Sequence, residues 1–158
     1  MLKYDGYQIV FQEVPDEISL AFNITGCPHH CDGCHSPHLQ GDGGQPLMDD
    51  LLRIVHEHKD EISCVCFLGG DYDPVGLADA IIAVRMFAPA LKIAVYCGVD
   101  DPAEIIWRLS DYVKTGAYDK KRGGLKEHTT NQHMYNIWFD RDDITNKFWP
   151  KEILVEEH

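Results

Sequence analysis

Three cysteines, Cys27, Cys31 and Cys34, fall at C-x3-C-x2-C spacing within the stretch Asn23-Ile24-Thr25-Gly26-Cys27-Pro28-His29-His30-Cys31-Asp32-Gly33-Cys34-His35. Thiolates this close in a glycine- and proline-punctuated loop can converge on one inorganic centre, and no other three of the chain's six cysteines are so arranged. A cubic iron–sulfur cluster usually takes four thiolates, so three from one loop leave one iron open to a small molecule. The same donors admit a second chemistry, a structural zinc completed by His29, His30 or His35. Structural zinc usually draws its ligands from two separated pairs, whereas these three are contiguous at a strand end, which favours the cluster.

Those residues need a scaffold. Residues 18–25 are β-branched and aromatic enough for a buried strand ending at Gly26, so the cysteine loop hangs from a carboxyl end. Residues 7–13 predict a strand before it and 15–17 a turn. After the glycine-rich connection 40–46, Leu47, Leu51 and Val55 recur at helical spacing, with Met48 and Leu52 beside them, which predicts an amphipathic helix to about Asp60. Residues 62–68 predict a buried strand stopped by Gly69-Gly70-Asp71. A helix follows Pro74, with Leu77, Ile81, Val84 and Ala88 inward, and Pro89 ends it. Residues 91–97 predict the next strand. Asp101-Pro102-Ala103-Glu104 reads as a capped helix start, with Pro102 at the first helical position. Residues 111–115 and 134–139 predict two more strands, and the acidic tail carries Phe148 and Trp149 as docking anchors.

This order predicts an α/β domain over residues 1–158, with right-handed βαβ crossovers and a mainly parallel sheet. Such sheets place their sites at the strands' carboxyl ends, where the cysteine loop, Gly69-Gly70-Asp71 and Cys97-Gly98 all fall. The chain has 158 residues, whereas a closed eight-unit barrel typically takes about 250. A partial barrel, open at its side to a large substrate, is the size that fits.

Composition narrows the classes. A formal charge of −12 argues against a general binder of nucleic acid or anionic membranes. The first residues hold no apolar run suited to a signal peptide, and nothing approaches the roughly 20 apolar residues of a membrane span. A cytoplasmic location is therefore expected, where cysteines serve as thiols or metal ligands more often than as disulfides. Cys64 and Cys66 alternate in an apolar strand and read as small core residues; Cys97 reads as packing, with a role beside a ligand as the alternative. His56 and His58 point apart on their helix and suit no shared metal. Lys120-Lys121-Arg122-Gly123-Gly124-Leu125-Lys126 reads as a solvated loop, or as a basic contact for an acidic patch on a protein partner.

The cysteine loop resembles the signature of the radical S-adenosylmethionine (SAM) superfamily. Its form C-x-H-x-C-x-G-C, with His29 and Gly33 in place, is similar to that of the activating enzymes of anaerobic ribonucleoside-triphosphate reductase. Gly69-Gly70-Asp71 looks like the family's GGE motif, and Tyr96-Cys97-Gly98 stands where the activases often carry Tyr-Thr-Gly. Asp111 to Tyr118 resembles their D-x-x-x-x-G-x-[FY] segment, and Thr130-Asn131-Gln132 their S-N-Q. Asp71 in place of Glu, and His133 where Arg is usual, depart from the pattern. The resemblance implies a partial, laterally open β/α barrel of the radical SAM type, with a 4Fe-4S cluster on Cys27, Cys31 and Cys34. It implies SAM contacts at His35, Gly69, Gly70, Asp71, Tyr96, Cys97 and Asn131. It further implies SAM cleavage to a 5′-deoxyadenosyl radical, an electron donor of unspecified identity, and a backbone glycine of the anaerobic reductase as substrate. Two other readings stand beside it: a small-molecule radical SAM enzyme such as 7-carboxy-7-deazaguanine synthase, and a non-catalytic zinc-binding interaction module.

Overall fold

β2 (Ile18–Ile24), β4 (Cys64–Leu68), β5 (Lys92–Tyr96) and β6 (Tyr112–Thr115) lie side by side and parallel, each an apolar run short enough to be buried on both faces. The computed structural model describes residues 1–26, 43–137 and 141–149. The sheet's strand order is β3-β1-β2-β4-β5-β6-β7-β8, and it is open, ending at β3 and β8 among the described residues. Its flanks are antiparallel: β1 (Lys3–Phe11) pairs with β2 and with the two-residue β3 (Gln45–Pro46), and β7 (His133–Asn136) pairs with β6 and with β8 (Asp142–Asp143). The sheet is therefore mixed, with its parallel part confined to the centre.

Three helices cross between the parallel strands. α1 (Leu47–His58) buries Leu47, Leu51, Ile54 and Val55, with Asp49 and Asp50 in its first turn and His56 and His58 in its last, the charge order that suits the helix dipole. Met48, expected beside the buried stripe, is exposed. α2 (Pro74–Phe87) begins where Asp73 accepts from the Gly76 N–H at 3.1 Å, with Pro74 next. α3 (Glu104–Leu109) starts later than its sequence suggests. Ala103 is extended and there is no side-chain cap, and Pro102 is buried one residue before it, outside the helix.

All three helices pack on one face of the sheet, where Leu20, Phe22, Val65, Phe67, Ile93, Val95 and Val113 form one core with the helical aliphatics. The other face carries smaller side chains, Ala21, Cys64, Cys66 and Ala94, covered by Val14, Leu125 and Ile144. Phe148, in the short 3-10 helix Thr145–Phe148, packs against this second core. β1 begins four residues before its predicted start because Gly6, at φ +82°, lets the strand bulge between Tyr4 and Tyr7 and continue.

Candidate functional site

The parallel register brings Asn23, Leu68, Tyr96 and Lys114 into one row near the carboxyl ends of four strands. Side chains alternate across a strand, so this row faces away from the helices. Phe22, Phe67, Val95 and Val113, each one residue earlier, pair in register on the helical side.

Hydrogen bonds stitch the strand-end loops together. Thr25 Oγ1 donates to the Gly43 carbonyl at 2.6 Å, which closes the stem from which the cysteine segment departs and returns. Tyr72 OH donates to the Thr25 carbonyl at 2.6 Å, tying the β4 loop to that stem. The Gly98 N–H donates to Asp71 Oδ2 at 3.1 Å and joins the β4 and β5 loops. Lys114 Nζ donates to the carbonyls of Cys97 at 3.0 Å and Gly116 at 2.8 Å, and Gln132 Nε2 donates to Gly116 at 3.2 Å. Gly69 and Gly70 have φ of +109° and +97°, a region that favours glycine and lets the chain reverse directly above the strand.

Over this row lies a cavity of about 940 Å³ on the helix-free face, within the span of about 300–1,000 Å³ typical of small-molecule sites. Leu68, Gly69, Asp71, Tyr96, Cys97 and Lys114 line its floor. One wall comes from the β1 turn, including Phe11 and Glu13, and the other from residues 120–127. Tyr96 OH donates to the Glu13 carbonyl, and its ring sits 5.7 Å from Lys114 Nζ. Burial pushes the Tyr96 phenol well above its ordinary value, so it is a neutral donor at physiological pH.

The sequence-predicted residues divide clearly. Gly69, Gly70, Asp71 and Tyr96 gather at the strand ends, with Asp71 turned to the Gly98 amide. Cys97 also stands there, yet its thiol is buried in the helical core and pushed far up by desolvation, and its carbonyl is what it offers Lys114. Cys64 and Cys66 are buried on the opposite face, and burial raises the Cys64 thiol to about 12 and the Cys66 thiol well above its ordinary value. Asn131 donates to the Ala117 carbonyl at 3.0 Å and lines a separate recess with Asp100, Thr115, Arg122, His133 and Tyr135. Its neighbour Gln132 faces the large cavity. Cys27, Cys31, Cys34 and His35 lie outside the described residues. Among the described residues no three His, Cys, Asp or Glu side chains gather as a metal site. Sequence reasoning passed over Lys114; the signal it left is a lysine inside the otherwise uncharged strand Tyr112-Val113-Lys114-Thr115.

An open α/β sheet with its loops gathered above the parallel carboxyl ends, and a cysteine-rich segment rooted there, belongs to a class of cofactor-binding domain. The chain is a member of the 4Fe-4S single cluster domain family, whose model matches residues 18–99, just over half of the chain. No curated protein and no solved structure matches it. The matched span runs from β2 through the cysteine segment to the residues after β5, so the cysteines and all of the cavity floor but Lys114 fall within it. No helix among the described residues is long and apolar enough to cross a membrane.

Proposed function

We propose that the chain is a radical SAM enzyme with a partial, laterally open β/α barrel, an activating enzyme that places a glycyl radical on an anaerobic ribonucleotide reductase. The observation that carries this reading is where the other three cysteines lie. Cys64 and Cys66 are buried on one face of the sheet and Cys97 on the other, all with thiols held protonated by desolvation. Lying on opposite faces, these three do not gather, which supports Cys27, Cys31 and Cys34, at C-x3-C-x2-C spacing just after β2, as the proposed cluster ligands. Three protein thiolates leave one iron for the amino and carboxylate groups of SAM. When bound, cluster and SAM together supply a one-electron cleavage that ends in removal of a hydrogen atom from the substrate glycine.

The chain's own residues bind and orient. Gly69 lets the backbone come close to the ligand, Gly70 turns the chain against Ile24 and Leu77 and joins the SAM set on the strength of the resemblance, Asp71 fixes the Gly98 turn, and Tyr96 with Leu68 forms an apolar floor. Lys114 Nζ ties the Cys97 and Gly116 carbonyls together beneath the cavity. His35, one residue beyond the last cysteine, and Asn131 complete the SAM set on the strength of the resemblance. The open side of such a partial barrel would suit a polypeptide substrate. The electron donor is a separate protein or a chemical reductant, and the expected setting is the cytoplasm.

Anaerobic reconstitution tests this. A brown protein with about four iron per chain is expected, releasing methionine and 5′-deoxyadenosine on reduction with SAM present. Mixed with an anaerobic reductase, it should yield a glycyl radical signal by electron paramagnetic resonance. Cys31→Ala should lose both colour and cleavage. A colourless protein with one zinc would refute the reading, and cleavage without the glycyl signal would transfer it to a small-molecule substrate.

A further inference from the structure

Four of the chain's 14 basic side chains fall within residues 120–126, in a protein with 26 acids. The structure seats them on one wall of the large cavity: Lys120, Lys121, Arg122 and Lys126 all line it, with Lys114 in the floor. The cavity's acids are Glu13, Asp71 and Glu127, and Asp71 is turned to a backbone amide. On the facing wall Phe11 is 67% exposed and lines the same space, and Phe148 adds further apolar surface.

The basic wall is preformed. The N–H groups of Arg122 and Gly123 both donate to the Asp119 carbonyl, at 3.0 and 2.8 Å, and the Lys121 N–H donates to Asp119 Oδ1 at 2.9 Å. Arg122 Nε donates to the Thr129 carbonyl at 3.1 Å, while Thr129 Oγ1 donates back to the Arg122 carbonyl at 2.6 Å. Thr130 Oγ1 donates to the Gly123 carbonyl at 2.9 Å, and Leu125 is buried as an anchor. A loop fixed by its own hydrogen bonds presents charge with little ordering cost on binding.

We propose that this wall is the docking surface for an acidic segment of a protein partner, which lies across the cavity with its carboxylates on Lys120, Lys121, Arg122 and Lys126 and an apolar side chain against Phe11. Charge complementarity argues for it. The chain as a whole carries a formal charge of −12, so a cluster of four bases is the favoured place for an acidic partner to approach. An apolar wall facing a basic one suits a polypeptide, which offers both kinds of side chain, better than a compact phosphate. The proposal deepens the activating-enzyme reading by naming the surface on which its protein substrate would sit.

The test uses the full chain and three fluorescent peptides of equal length, each with a central Phe-Gly: one flanked by Glu, one by Lys and one by Ser. Anisotropy should show binding of the Glu peptide alone, weakening steadily with added salt. Lys121→Glu/Lys126→Glu should weaken it about tenfold or more, and Lys121→Gln/Lys126→Gln by less, with circular dichroism unchanged. A charge-matched Arg53→Glu/Lys59→Glu, on the far helical layer, should leave binding as it was. Equal binding of the Ser peptide, an unaffected loop variant, or equal binding of an oligonucleotide of the same charge would each overturn the proposal. The peptides carry nothing that SAM cleavage requires. A chain that cleaves SAM but ignores the Glu peptide loses the docking surface and keeps the enzyme; one that binds the peptide but never cleaves SAM keeps the surface and loses the enzyme.

Discussion

Gly44→Ala isolates the mechanical support of the cysteine segment. Gly44 has φ +96°, and a Cβ placed there would stand 2.2 Å from the Tyr4 carbonyl oxygen and 2.8 Å from its carbon, backbone atoms held in β1. Neither can move without disturbing the pairing of Tyr4 with Ile24 and Gln45. The chain at 43–44 must move instead, which breaks the 2.6 Å bond from Thr25 Oγ1 to the Gly43 carbonyl. A non-glycine residue in such a conformation costs about 1–3 kcal/mol, and the lost hydrogen bond about 1 kcal/mol more. The expected destabilisation is about 3 kcal/mol, a fall in melting temperature of roughly 6–12 °C for a chain of this size. Its neighbour is the control: a Cβ at Gly43 meets nothing within 4 Å, so Gly43→Ala should melt with the parent protein. Thermal unfolding by circular dichroism reads the stability, and iron per chain after anaerobic reconstitution reads the effect on the segment. Iron should fall in Gly44→Ala and hold in Gly43→Ala. If both glycine variants melt together with the parent and keep its iron, the clamp is not what holds the stem.

Three other perturbations follow from the same geometry. Lys114→Met removes two charge-assisted hydrogen bonds from strand-end carbonyls while Gly116 keeps Gln132, and relief of the buried charge offsets part of the loss; a drop of about 2 kcal/mol in urea unfolding is expected, and none would refute the role of the amine. Tyr72→Phe deletes the donor to the Thr25 carbonyl and should cost about 1 kcal/mol, with faster loss of iron to a chelator. Raising the pH should destabilise the fold from about the ordinary thiol value of 9.0 upward, because Cys64 at about 12 and Tyr4 at about 12 keep in the folded state protons that the unfolded chain releases. Burial is the main cause at both positions, with the bond from Tyr4 OH to Asp50 adding to it at Tyr4. The urea midpoint should be steady below pH 9 and fall between 9 and 12, and a level midpoint across that window would contradict the burial.

The parallel centre of the sheet was legible because its strands are short apolar runs broken by glycines and helical repeats, a local signal for a global arrangement. The two-residue β3 was not, since it is held by backbone pairing to Lys3 and Tyr4 and leaves no side-chain pattern. The cap of α3 misled because Asp101-Pro102 has the right residue types, while the backbone at Ala103 is extended and the helix begins only at Glu104. At the site, the glycines and cysteines announced themselves by type and spacing. Lys114 did not, because a lysine is ordinarily a surface residue, and what buries this one is the meeting of two carbonyls from separate strand ends, at Cys97 and Gly116. Likewise nothing in the order Tyr96-Cys97-Gly98 tells that the tyrosine faces the cavity and the thiol the helical core.

The two faces of the sheet explain why the cavity is where it is. On the helical side Phe22, Phe67 and the branched aliphatics fill the space beneath three helices completely. On the other side Ala21, Cys64, Cys66 and Ala94 are small, so Val14, Leu125 and Ile144 can settle directly on the sheet. Those covering residues come from the segment before β2, from the basic loop and from the tail, and Leu68 and Tyr96 of the carboxyl-end row pack against the core they complete. Leu125 in the second core, together with the hydrogen bonds from Thr129 and Thr130, fixes the place from which Lys120, Lys121, Arg122 and Lys126 border the opening. Small side chains in a strand ordinarily weaken a core. Here they let Val14, Leu125 and Ile144 settle against the sheet on the face that carries the cavity.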